Sequence, residues 1–319
     1  MASFTGPATD AVAAVTRPRI AVCLAAFDGA RWLPEQLDSV LAQENVAVTV
    51  FVSVDRSTDG TESMVEAYAA RDPRVVVLPH GERFGGAARN FFRLIRDVDL
   101  SGFDFVSLAD QDDIWAPAKL ARACEVLERT VSDAYSSDVM AFWPSGRQAL
   151  IRKSQPQREW DFLFEAAGPG CTYVLRMELA LAVQELVRQR WEPIQEVAFH
   201  DWLIYAFARA RGYRWVIDER VGMRYRQHER NEVGVNTDWR AFLFRSRKVL
   251  STFGPGQAGL IAHLVGCDEH PAVTKGLRAG RRGLLWLAGH AGRCRRRLRD
   301  RIVFALACGG LCLVKAGRS

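Results

Sequence analysis

The apolar residues of this chain fall into short continuous runs separated by longer amphipathic stretches. Residues 19–27 (RIAVCLAAF) and 46–54 (VAVTVFVSV) are apolar on both phases of a two-residue repeat, as strands covered on both faces are. Between them Asp28-Gly29 marks a turn, and Trp32, Leu33, Leu37, Val40 and Leu41 recur at helical spacing. Asp59 and Glu62 fit a capping box that starts a second helix. A short strand follows at 75–78, and Gly85-Gly86-Ala87-Ala88 opens a helix carrying Arg89, Asn90, Phe91, Phe92 and Ile95. A fourth strand, 103–108, is interrupted only by Asp104 and Ser107. It leads into Asp110-Gln111-Asp112-Asp113-Ile114-Trp115 and then a helix with Pro117 near its first turn and Leu120, Cys124 and Leu127 on one face. This alternation predicts right-handed βαβ units and an α/β fold with a parallel sheet.

Residues 131–170 are rich in Ser, Gly, Pro and Gln and read as a connection with partial structure. Beyond them the pattern predicts a strand at 171–175 and an amphipathic helix at 179–190. A further helix is opened by Phe199-His200-Asp201-Trp202 and ended by Gly212. Strands at 213–217 and 221–226 precede a polar loop, 227–231. After Trp239 the pattern is helical, with Phe242, Leu243, Val249 and Leu250 on apolar faces. The expected organisation is a frayed tail over 1–18, a catalytic domain over 19–236 and a helical extension over 237–319.

Composition changes this picture at one place. The 319 residues are ordinary for a globular protein, at 49% hydrophobic and 25% charged. The net charge of +6 is unevenly placed. Residues 275–319 hold 12 basic residues and one acidic residue, Asp300, a charge of +11; the other 274 hold 31 basic and 36 acidic, a charge of −5. The basic stretch RCRRRLRDR at 293–301 precedes thirteen uncharged, mostly apolar residues, 302–314, too few to span a bilayer. A basic segment beside a short apolar helix suits an anionic membrane surface, with Ile302, Val303, Leu306, Leu311 and Leu313 entering the interface. The bland alternative is a basic helix packed on the body. A nucleic-acid role is disfavoured, because the tail lacks interleaved aromatics and any known module. The seven cysteines have no zinc or redox spacing, so buried reduced thiols in a cytosolic protein are expected. Residues 1–18 lack the charged start and apolar run of a signal peptide.

The chemistry is concentrated at Asp110, Asp112 and Asp113. Three like charges within four residues, at the C-terminal end of a strand where open α/β sheets bind ligands, need a counter-charge. A divalent cation held through oxygen supplies one. A solvated acidic turn with a helix cap is the alternative, and the apolar strand before the cluster and Ile-Trp after it argue against a surface loop.

Four segments together resemble the family 2 glycosyltransferases of GT-A fold, in particular their rhamnosyltransferase-like branch. They are IAVCLAAFDGARWLPEQLDSVLAQ, VSVDRSTDGT, LADQDDIW, and the pair HDWLIYAFARARGY and YRQHERN. The resemblance runs from about Arg19 to Asn236. It implies an inverting, metal-dependent transfer of a sugar from a nucleotide-sugar, dTDP-L-rhamnose before a UDP-hexose, onto a glycan or lipid-linked acceptor in cell-surface polysaccharide synthesis. It places a divalent cation, Mn²⁺ or Mg²⁺, on Asp110, Asp112 and His228, with imidazole tilting the choice to Mn²⁺. It assigns Ala25, Ala26 and Phe27 to the nucleoside pocket and Asp55 to the N3–H of a uracil or thymine. Asp201 matches the general base, an N-cap being its alternative. Arg226 and Arg230 flank His228, where forked hydrogen bonds from them would hold the diphosphate. Arg89 has two open readings, a nucleotide-phosphate contact or a surface arginine. The chain departs from the family at Val54, where a second Asp is usual, at Arg56, where Gly is, and at Phe84, where Asn is.

Two other classes fit less well. A sugar-phosphate nucleotidyltransferase should carry a Gly-rich phosphate loop after the first strand, where this chain has Ala25-Ala26-Phe27-Asp28. A non-catalytic carbohydrate-binding relative has no need of Asp110, Asp112, Asp201 and His228 together. The implied location is cytoplasmic, peripheral on the inner face of the cell membrane.

Overall fold

The computed structural model describes residues 17–228 and 255–314. The expected boundary near Asn236, Arg230, and the helical pattern over 239–250 lie outside the described residues, as does nearly all of the 1–18 segment. A seven-stranded sheet has the order β10-β6-β9-β4-β1-β2-β3. Its strands are β1 (Arg19–Ala26), β2 (Ala47–Val54), β3 (Val75–Val77), β4 (Phe105–Asp110), β6 (Ala134–Ser137), β9 (Val174–Arg176) and β10 (Trp215–Asp218). All neighbours pair parallel except β9, which runs antiparallel to both β4 and β6. A second sheet, β5-β11-β7-β8, is built from β5 (Ile114–Trp115), β7 (Val139–Phe142), β8 (Gln148–Ile151) and β11 (Met223–Arg226).

The continuous apolarity of β1 has the cause its pattern implies. Ala21, Cys23 and Ala25 pack into one core, with Phe91, Phe92 and Trp202, while Ile20, Val22, Leu24 and Ala26 pack into the other, with Leu33, Leu37 and Leu127. The helices that cover these faces are α1 (Leu33–Leu41), α2 (Thr61–Arg71), α3 (Ala87–Asp97), α4 (Lys119–Thr130), α5 (Met177–Gln189), the single turn α6 (Trp191–Ile194) and α7 (His200–Ala210).

Several local expectations need correction. The capping box at Asp59 and Glu62 does not form: Gly60, at φ 88°, turns the chain at the N-cap, so Asp59 instead accepts from the Thr61 backbone and hydroxyl and Glu62 accepts from the Ser57 amide. The strand expected at 171–175 begins later, because Gly170–Thr172 is a tight 3₁₀ turn. The unassigned 131–170 stretch contains β6, β7 and β8.

Five helical segments complete the described chain: Pro255–Leu264, Ala272–Leu277, Gly280–Gly289, Ala291–Cys294 and Leu298–Val314. The last is longer than the uncharged run, starting four residues earlier among arginines. No helix among the described residues is long and apolar enough to cross a membrane. The C-terminal segments are fastened through 159–165. Arg296 is buried, pairs with Asp161 and Glu165, and donates to the Ala166 carbonyl, while Arg295 donates to the Phe164 carbonyl and Arg293 pairs with Glu159. Asp161 in turn accepts from Tyr205 and Arg209 on α7. Part of the basic stretch is therefore internal structure, as the packed-helix alternative expected.

Candidate active site

The parallel strands deliver their C-terminal ends to one edge. Ala25 on β1 lies in register with Asp110, the last residue of β4, and β2 ends one residue before Asp55. Asp110 is half-buried, Asp112 is buried and Asp113 is wholly buried. Burial first, and then the charges of Asp112 and Asp110, push the Asp113 carboxyl well above the usual range. One of its oxygens accepts from the Arg226 amide at 3.0 Å, and the other has no hydrogen-bond partner.

The end of β11 and the residues after it pack over this edge. His228 lies 2.7 Å from a carboxylate oxygen of Asp112, and its ring stacks on Trp32 at 5.8 Å and 16°. Arg226 donates to the Asp112 carbonyl, pairs with Glu35, and lies over the rings of Trp32 and Phe142. Trp32 and Glu35 are thus the residues that hold the YRQH segment over the acids, roles the sequence reading did not assign.

The donor set fits a divalent cation. Asp112 and His228 converge within hydrogen-bond distance, and an oxygen of buried Asp113 is unpartnered. Asp110, Asp113 and Cys171 also bring one ligand atom each within 4.8 Å of one another. Cys171 is a poor member of that group, since burial holds its thiol protonated and a hard cation prefers oxygen. The ligands expected from the sequence lie at this cluster, His228 against Asp112 and Asp110 beside Asp113, and two carboxylates with an imidazole would suit Mn²⁺ or Mg²⁺ by donor chemistry. Lys119, also unassigned by the sequence reading, lies beneath. Its Nζ is 3.3 Å from the Trp115 ring centre with no hydrogen-bond partner, and burial drives its pKa down to about 7.

The residues expected at the nucleoside lie on two interlocked loops. Gln111 clasps Phe27, donating to its carbonyl at 2.8 Å and accepting from its amide at 2.7 Å. Phe27 itself is half exposed, whereas Ala25 and Ala26 are buried and can line a pocket only through their backbone. Asp55 is buried, and its two oxygens accept from the Phe84 and Gly85 amides, both at 2.8 Å. Each oxygen keeps a second lone pair, so fastening this loop does not exhaust its capacity. Asn90, Ser53 and Arg93 form a buried polar network under the same edge, Asn90 donating to the carbonyls of Ala26 and Ser53. Arg89 is exposed in the first turn of α3 and donates to the Gln195 carbonyl.

Asp201 stands in the first turn of α7, half-buried. Phe199 is the N-cap residue, and Asp201 accepts from the Trp202 amide at 2.7 Å, so its carboxylate satisfies one donor of the first turn without standing at the N-cap itself. The Gly170 turn links it to the acids: a Cβ on Gly170 would meet Asp201 Cβ at 3.3 Å and His200 Nε2 at 2.4 Å, and the next residue is Cys171. His200 is buried, stacked on Phe91 at 3.9 Å, and burial lowers its pKa to about 3.

Comparison with known proteins places this architecture. Residues 18–153 match the family described as "Glycosyltransferase like family 2". The chain is 39% identical over 284 residues to the dTDP-rhamnosyl transferase RfbG of Shigella flexneri, covering 89% of this chain and 98% of that one. It is 32% identical over 120 residues to the succinoglycan biosynthesis protein ExoO of Rhizobium meliloti, 37% of this chain and 31% of that one. Residues 1–349 of S. aureus TarS, in complex with UDP, share the fold at a TM-score of 0.52 and 14% identity, over 94% of this chain and 92% of that one. The chain belongs to the family 2 glycosyltransferases, with a GT-A fold and a helical C-terminal part. Within that family it is a rhamnosyltransferase-like enzyme that uses a nucleotide-sugar donor.

Proposed function

We propose that this enzyme transfers L-rhamnose from dTDP-L-rhamnose, with inversion, onto a hydroxyl of a glycan or lipid-linked acceptor during cell-surface polysaccharide synthesis. The observation that carries the donor assignment is the 39% identity over nearly the whole length of a dTDP-rhamnosyl transferase. Asp201 takes the proton from the acceptor hydroxyl as its oxygen forms the bond to the anomeric carbon. The bond from that carbon to the β-phosphate oxygen breaks on the opposite face, and dTDP leaves. Asp110, Asp112 and His228 would hold a divalent cation, which would offset the charge that grows on the leaving diphosphate. Arg226 stands against the same acids, fixed by Glu35 and Trp32, and supplies fixed positive charge there. Phe27 and the backbone of Ala25 and Ala26 border the nucleoside, and Asp55 accepts the N3–H of the base. Arg89, at the mouth of α3, faces the nucleotide phosphates. The enzyme works in the cytoplasm, where nucleotide-sugars are made.

Uracil presents the same N3–H as thymine, which makes a UDP-hexose the alternative donor. Titration calorimetry with dTDP, UDP and GDP, followed by a donor screen that reads released nucleoside diphosphate, tests both. The expected order is dTDP and UDP well ahead of GDP, with turnover on dTDP-L-rhamnose. Tighter binding of GDP than of both pyrimidine nucleotides would overturn the placement of Asp55, and turnover only with a UDP-hexose would overturn the rhamnose assignment.

A further inference from the structure

The basic tail is the one motif of the sequence that glycosyl transfer does not use. The structure divides it. Arg295 and Arg296 face inward onto the 161–166 segment and Arg293 pairs with Glu159 at the surface, whereas Arg297 and Arg299 are exposed. They flank Leu298, the first residue of the helix Leu298–Val314. One side of that helix packs on the body: Cys308 is buried, and Phe304 meets Phe164 edge to face at 5.1 Å. The other side carries Leu298, Ile302 and Leu306, spaced four apart and exposed by 70%, 55% and 70%. Leu285, on the helix Gly280–Gly289, is exposed too, and so are Arg281 and Arg282 of that helix.

An apolar ladder of this kind needs a partner, and the charge beside it says which. Arg297 and Arg299 stand at the N-terminal end of a helix with a single acidic residue, Asp300, in its first turn, while Arg301 donates to the Arg295 and Arg296 carbonyls; the backbone dipole there is positive and cations are disfavoured in water. Phosphate groups reverse that sign, since a helix start attracts anions. A second copy of the chain would bring like charges together at the same place. A bilayer surface with anionic headgroups satisfies both features: its phosphates meet the arginines and its interfacial hydrocarbon takes the ladder. The helix lies in the interface without crossing, because no described helix is long and apolar enough to span.

We propose that the Leu298–Ile302–Leu306 face, flanked by Arg297 and Arg299, is the surface by which the enzyme rests on an anionic membrane. This is independent of which nucleotide-sugar the site takes. It gives a physical reason for a lipid-linked acceptor, since enzyme and acceptor would share one plane.

The test is co-sedimentation of the full chain with phosphatidylglycerol and with phosphatidylcholine vesicles, at low and high salt. Two variants are compared with wild type: Leu298→Ser/Ile302→Ser/Leu306→Ser and Arg297→Gln/Arg299→Gln. All the substituted side chains are exposed, so dTDP affinity should be unchanged and serves as the folding control. Wild type should bind phosphatidylglycerol vesicles at low salt and be released by salt. The serine variant should partition at least about tenfold less, since three apolar side chains no longer enter the interface. The glutamine variant should lose about fivefold per arginine, on anionic vesicles only. Equal vesicle binding by wild type and the serine variant would overturn the proposal. So would sedimentation velocity showing a wild-type dimer that the serine variant dissociates while vesicle binding stays the same.

Discussion

Gln111 offers the sharpest test of how the acidic run and the nucleoside loop work together. It stands between the two proposed metal ligands, Asp110 and Asp112, yet its side chain turns to Phe27 and makes two reciprocal hydrogen bonds with that residue's backbone. Replacing it by Leu keeps roughly the volume and removes both bonds. The Phe27 amide and carbonyl then turn to water, which reaches them because this loop is exposed. The lower half of the usual net value therefore applies, about 0.5–1 kcal/mol for each bond and about 1–2 kcal/mol together. Neither hydrophobic core touches this contact, so the cost falls on the order of the 27–32 loop and not on global stability. If that loop borders the nucleoside, dTDP binding weakens by about 5–30-fold, at 1.4 kcal/mol per decade.

Gly29 gives an independent handle on the same contact. A Cβ there would sit 2.1 Å from Gln111 Oε1 and 2.6 Å from Cδ. That end of the side chain is flexible by itself, but both of its polar atoms are engaged, so making room breaks the clasp. Gly29→Ala should reproduce the Gln111→Leu defect without touching the acidic run. In the double variant the two losses should not add, because each removes the same interaction. Calorimetry with dTDP and thermal melts of the three variants decide the matter. A dTDP affinity within twofold of wild type for Gln111→Leu, in a normally melting protein, would refute the reasoning; additive losses would show that Gly29 and Gln111 act separately.

The remaining expectations concern the acids and the buried histidine. Asp112→Asn should abolish Mn²⁺ binding followed by electron paramagnetic resonance while leaving the melting temperature nearly unchanged, and Mn²⁺ affinity equal to wild type would remove Asp112 from the ligand set. Asp201→Asn should lower turnover by about 10²-fold or more, the usual size of a general-base effect, with donor affinity nearly unchanged; a matching loss of donor binding would make Asp201 structural. His200 has a folded pKa near 3 against 6.5 for the free side chain, so between those values the unfolded chain binds a proton that the native one does not. Its contribution therefore leaves stability intact above pH 6.5 and reduces it as pH falls toward 3, by about 1.4 kcal/mol per unit. His200→Phe keeps an aromatic ring against Phe91 and removes that term, so denaturant melts at pH 5 and pH 8 should differ less for the variant than for wild type; equal differences would mean His200 is protonated in the fold.

What the sequence could and could not reveal follows the reach of each interaction. The strands β1 and β2 were legible because burial on both faces leaves an unbroken apolar run, a local signal. The acids were legible because charge clustered at the end of such a strand is costly without a reason. The stretch 131–170 was not, because buried polar residues interrupt its buried apolar ones and find their partners away from their own strands. Ser136 accepts from the Trp215 indole, and buried Asp138 accepts from the Lys153 and Ser154 amides. No period along the chain records a partner 79 residues away. The reversed direction of β9 leaves no trace either, since three apolar-flanked residues read the same in both senses.

The same distinction explains the site. Residues that meet a charged ligand declare themselves by type, while those that hold them do so through contacts invisible in sequence: Gln111 to Phe27 across 84 residues, Glu35 to Arg226 across 191. The tail shows the limit most plainly. Arg295, Arg296 and Arg297 are consecutive and chemically identical, yet Arg296 is wholly enclosed by Asp161 and Glu165 while Arg297 is exposed. They lie in the link between two helices, where no periodicity assigns faces. Their difference is set by the buried carboxylates at 161 and 165, which need a cation for the same physical reason that the acids at 110–113 do. At 161 and 165 the chain supplies that cation from its own tail. At 110–113 no arginine among the described residues encloses the buried carboxyl: burial and its acidic neighbours raise the pKa of Asp113, and the buried Lys119 ammonium lies nearby without a hydrogen bond.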